Sequence, residues 1–89
     1  MAISREQVWQ TVERILQIDL KFSGVEIVEG LQLVGGGLEL DSLDLLMLVT
    51  GIEKQFRHKI ATAKLNRESM GTVGVFVDFV CAELAAAGL

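Results

Sequence analysis

Apolar side chains recur at intervals of three and four residues in three separate stretches of this chain, and that periodicity restricts the fold more than any other feature. Such spacing puts the side chains on one face of an α-helix, and each face needs a partner to bury it. The first stripe is Val8, Val12, Ile15 and Leu16. Ser4 and Gln7 precede it at the spacing of a capping box, which predicts helix I over residues 5–20. The second stripe, Leu45, Leu48, Val49, Ile52 and Phe56, predicts helix II over residues 42–57. The third follows Thr72 with Val73, Phe76, Val77, Val80 and Leu84 and stops at Gly88, which predicts helix IV.

Between the first two stripes the period is lost. Residues 21–40 contain Gly30, Gly35, Gly36 and Gly37 and read as a long loop, with a turn of helix near residues 24–29. Leu31, Leu33, Val34 and Leu38 are expected to pin this loop to the helices. Asn66 can cap a short helix III over residues 66–70. The expected fold is therefore all-α: a small four-helix bundle, three main helices plus a short helix III, with a long loop between helices I and II. With 89 residues, 51% of them hydrophobic, and no proline, the chain reads as a single domain over 1–89. A chain of this size buries only about 60 to 65% of its unfolded surface, which favours a carrier or binding module over an enzyme with a deep cleft.

Charge narrows the class further. Twelve acidic against eight basic side chains give a net charge of −4. Residues 26–44 hold Glu26, Glu29, Glu39, Asp41 and Asp44 without a Lys or Arg, while Lys54, Arg57, Lys59, Lys64 and Arg67 follow. Nucleic acid is not an expected partner, because its binding depends on neutralising phosphates. No apolar run approaches the length of a membrane span, so no membrane partner is expected, and the chain reads as a cytoplasmic monomer. Cys81 is the only cysteine and shares an apolar stripe, which marks it as a small buried hydrophobe. His58 is the only histidine and reads as a solvated residue at a helix end, so neither a metal site nor a catalytic triad is expected. Gly35 to Gly37 lack the Gly-Lys-Ser/Thr of a phosphate-binding loop. Trp9 is placed at a bundle edge.

The segment that carries chemistry is Asp41-Ser42-Leu43-Asp44 at the start of helix II. Free N–H groups and the positive end of the helix dipole favour an anion there, by about 0.3 to 1 kcal/mol per charge near the surface. A phosphodiester on Ser42 Oγ would be well placed. Asp41 and Asp44 could help a modifying enzyme to position magnesium, which takes carboxylate and phosphate oxygens. Alone, Ser42 or Asp41 would read as an ordinary helix cap.

This signature, followed by Leu48, Val49, Ile52, Glu53 and Phe56 and later by Thr72-Val73-Gly74 with Val77, Asp78 and Phe79, resembles the acyl carrier protein family over nearly the whole chain. The resemblance implies that Ser42 receives 4'-phosphopantetheine from coenzyme A, with Asp41, Leu43 and Asp44 around the attachment point. An acyl group would ride as a thioester on the arm and could fold back between helices II and III. It implies no enzyme activity of the chain itself. Its partners would be a phosphopantetheinyl transferase and ketosynthases, acyltransferases or acyl-activating ligases, in fatty-acid or specialised lipid or polyketide biosynthesis. They would read Asp41, Leu43, Asp44, Leu46, Met47, Thr50 and Glu53. A peptidyl or aminoacyl carrier shares the fold and the arm, and an unmodified helical adaptor shares the fold alone.

The outer face of helix II departs from the family. Leu43, Leu46, Met47 and Thr50 point away from the core stripe, and Met47 stands where a common bacterial fatty-acid carrier has glutamate. Arg57, His58 and Lys59 follow Phe56 where the family's turn is mostly neutral or acidic. Partner recognition is therefore expected to be more apolar than usual.

Overall fold

A computed structural model describes residues 3–22, 24–33, 40–60 and 70–88, with Ser42 described by its backbone alone. Among these residues the fold is helical: α1 (Arg5–Arg14) runs on into a π-helical turn (Ile15–Asp19), followed by α2 (Ser42–Phe56) and α3 (Val73–Ala86). The three main helices expected from periodicity are present. The short helix III, like Val34 and Leu38 of the loop, lies outside the described residues.

α1 starts as its capping box predicts: Ser4 Oγ accepts from Gln7 N–H at 3.2 Å and Gln7 Oε1 accepts from Ser4 N–H at 2.8 Å. Its continuation departs from the expected α-helix. In α-helical register the buried stripe of Val8, Thr11, Val12, Ile15 and Leu16 would next bring Asp19 inward. The π turn inserts one residue per turn, closed by Leu20 N–H to the Ile15 carbonyl at 2.9 Å. Half-buried Leu20 takes the inward position and Asp19 stays exposed.

α1 packs against both α3 and α2. Val8, Val12 and Leu16 meet a core that includes Leu48 and Ile52 of α2 and Phe76, Val77, Val80 and Leu84 of α3, all buried. Each such side chain stabilises the fold by about 1.5 to 3 kcal/mol relative to exposure. Leu45 and Phe56 are only partly buried at the core margin, and so is Trp9, with the Arg5 guanidinium 5.9 Å from its ring centroid. α2 ends one residue before the expected 57 because Arg57 turns into the left-handed region, φ 54 and ψ 41, where its N–H still reaches the Glu53 carbonyl. α3 stops at Ala86, with Gly88 at φ 81 just beyond.

The loop before α2 has no helical turn over residues 24–29, contrary to the expectation. Val25 N–H bonds the Phe22 carbonyl at 3.1 Å in a simple turn, and Ile27 plugs the core. The carbonyls at positions 29 and 31 point at α3. Gly74 N–H bonds Glu29 O at 3.0 Å and Val73 N–H bonds Leu31 O at 2.9 Å, while Val75 N–H bonds Thr72 Oγ1 at 3.2 Å. Three free donors of the first turn are thereby satisfied. Leu33, fully buried, and half-buried Leu31 pin the loop as expected, and Gln32 forms a bridge with Thr72. The Glu29 backbone lies so close that a Cβ at Gly74 would sit 3.0 Å from Glu29 Cβ and 3.1 Å from its carbonyl oxygen. Arg5 ties the same region from outside, pairing with Glu29 and, at 2.7 Å, with Asp78. Asp78 and then Glu29 raise the already high pKa of that guanidinium.

α2 approaches the π turn closely at Gly51, where a Cβ would lie 2.7 Å from buried Ile15 Cδ1. Gly51→Val is expected to destabilise the chain by about 1 to 3 kcal/mol through overpacking, measured as a lowered urea midpoint with unchanged slope.

Candidate functional site

The Asp41-Ser42-Leu43-Asp44 segment stands where the loop becomes α2. Asp41 is the N-cap, in extended conformation at φ −87 and ψ −179. Its Oδ1 accepts from Asp44 N–H at 2.8 Å, and Asp44 Oδ2 accepts from Asp41 N–H at 3.4 Å, so the two carboxylates form a reciprocal capping box. Ser42 is therefore the first residue inside the helix and the capping role belongs to Asp41. The orientation of the Ser42 side chain lies outside the described residues.

Helix geometry leaves the N–H groups of Ser42 and Leu43 without acceptors along the helix, and they gather positive potential at the start of α2. Each capping carboxylate uses one oxygen in the box and retains a second that faces no ion pair among the described residues. Asp41 and Leu43 are exposed, and Asp44 is half-buried.

The other expected recognition residues divide. Leu43, Leu46 and Met47 are exposed on the outer face, with Thr50 half-buried beside them. Glu53 is half-buried and turned back: its Oε2 accepts from Ile60 N–H at 2.8 Å and holds the chain after α2. A shallow groove of about 310 Å³ is lined by Asp19 of the π turn and by Leu46, Met47, Thr50, Gly51 and Lys54 of α2. Periodicity could have placed Lys54 seven residues after Met47 on this face. Asp19 reaches it through the π turn, which has no sequence signature.

His58 is half-buried just past α2. Cys81 is half-buried, not fully enclosed as expected, because its position on α3 falls at the edge of the Val77, Val80 and Leu84 stripe. Burial raises its thiol pKa above the ordinary value, Arg5 opposing and Asp78 adding to the shift. A smaller thiolate fraction follows, so at pH 8 the native thiol is expected to react with iodoacetamide more slowly than in the urea-unfolded chain.

Asp41→Ala is expected to cost about 1 kcal/mol, within the usual range for a lost N-cap, read as a fall in the urea midpoint. Among the described residues, no helix is long and apolar enough to cross a membrane. Comparison of the chain with protein-family models, with curated proteins and with solved structures finds no match to any of them.

Proposed function

We propose that this chain is an acyl carrier protein whose Ser42 receives a 4'-phosphopantetheine arm from coenzyme A. The observation that carries the reading is the Asp-Ser-Leu-Asp segment set at a loop-to-helix junction, with Asp41 as the cap and Ser42 as the first helical residue. That division of labour suits a modified serine, because the side chain that caps the helix is that of Asp41.

The chain's own residues fit such a group. The Ser42 and Leu43 N–H groups and the helix dipole favour the anionic phosphodiester. The free oxygens of Asp41 and Asp44 can hold magnesium brought by the modifying enzyme. Exposed Leu43 offers that enzyme an apolar contact next to the serine. When attached, the arm supplies a terminal thiol on which an acyl group rides as a thioester.

In this reading the chain is not an enzyme. It is a shuttle in fatty-acid or specialised lipid or polyketide biosynthesis, and it meets the transferase and then ketosynthases, acyltransferases or acyl-activating ligases. Leu43, Leu46, Met47 and Thr50 offer those partners a largely apolar face, so recognition relies less on carboxylates than on packing. A peptidyl or aminoacyl cargo would use the same serine.

Incubation with coenzyme A, magnesium and a broad-specificity phosphopantetheinyl transferase is expected to add one phosphopantetheine to the intact mass. Ser42→Ala is expected to gain none. An unchanged wild-type mass, under conditions that load a known carrier, would leave an unmodified helical adaptor as the better reading.

A further inference from the structure

Along the outside of α2, Leu43, Met47, Thr50 and Lys54 follow one another at spacings of four, three and four residues, with Leu46 beside them. This is the seam spacing of paired helices. Leu43 is 66% exposed, Leu46 56% and Met47 43%, so the seam is an apolar strip without a partner in the fold. The strip has opposite charges at its two ends: Asp41 and Asp44 at the helix start, Lys54 and exposed Arg57 at the end. No ion pair among the described residues engages any of these four.

We infer that this face pairs with the same face of a second copy of the chain, the two α2 helices running antiparallel about a two-fold axis. Antiparallel pairing is the arrangement in which the charges complement each other, since each acidic end then meets the basic end of the other copy and the two helix dipoles oppose. A parallel pair would set like charge on like.

The midpoint of the seam supplies a register. With the axis between Met47 and Thr50, Leu43 faces Lys54, Met47 faces Thr50, and Leu46 faces Gly51 of the second copy. Leu46 and Gly51 line one groove of about 310 Å³ together with Asp19, Met47, Thr50 and Lys54. The Lys54 stem can lie over Leu43 while its ammonium reaches Asp41 and Asp44 of the other copy.

One helix face falls short of the roughly 1,200 Å² that stable specific interfaces bury, so the pairing is weak and concentration-dependent. It goes beyond the carrier reading and does not require it. The paired face begins one residue after Ser42, so a second copy and an enzyme reading α2 would compete for the same surface.

Sedimentation equilibrium of the purified chain, from about 10 µM to about 1 mM, tests this inference. The expected weight-average mass rises from 9.7 kDa toward twice that value. Leu46→Glu and Lys54→Glu, both at outward positions that leave the core intact, are each expected to weaken association by about tenfold, with unchanged circular dichroism. Register is read in a Cys81→Ser background by mixing Met47→Cys and Thr50→Cys chains under mild oxidation, where the mixed disulfide is expected to dominate. A mass of 9.7 kDa at every concentration, association untouched by Leu46→Glu, or a predominance of same-position disulfides would each overturn the inference.

Discussion

The carbonyls of Glu29 and Leu31 accept from the N–H groups of Gly74 and Val73 and so join the long loop to the start of α3. A long loop without periodicity is costly to order, because each fixed residue gives up about 1 to 2 kcal/mol of backbone freedom. Here the loop does work that α3 cannot do for itself. Apart from Thr72, α3 has no acidic or capping side chain in its first turn, and its free N–H groups are met by backbone some forty residues earlier. The arrangement favours glycine at position 74, because a Cβ there would crowd Glu29 and force it to shift by a few tenths of an ångström. Leu31, Leu33 and Ile27 then carry the loop into the core that α1 organises.

Elements whose signals are local were legible from the residues alone. The start of α2 follows from Asp41 and Asp44, three apart, and its core face from Leu48, Val49 and Ile52. The Ser4 and Gln7 box likewise sets the start of α1. What could not be read depends on contacts distant in sequence. The π turn replaces Asp19 by Leu20 at the inward, half-buried position, a register that no propensity encodes. The loop was expected to coil at residues 24–29 because nothing in those residues reveals that the carbonyls at 29 and 31 are needed by α3. Cys81 was expected inside because a stripe assigns faces in steps of one helical turn and cannot resolve its margin. In the candidate site, the position of Ser42 at the helix start was legible. The inward turn of Glu53 toward Ile60 was not, since an exposed carboxylate and a capping one look alike in sequence.

The two ends of α2 answer different demands. At its start, two carboxylates stabilise the helix through the same groups that would flank a modified serine, so structure and chemistry coincide there. At its end, Arg57 accepts a backbone conformation that costs a non-glycine residue about 1 kcal/mol, and the Glu53 side chain is committed to the segment that follows. The middle of the outer face is free of such duties. Its side chains can be chosen by whatever docks on it, and here they are apolar.

The close approach of Gly51 to Ile15 has a consequence for how this chain can change over time. Both positions share one small volume between the π turn and α2, so a larger residue at 51 has to displace the tip of the Ile15 side chain, and a smaller residue at 15 would relieve that crowding. In a set of descendants of this chain the two positions would drift as a pair.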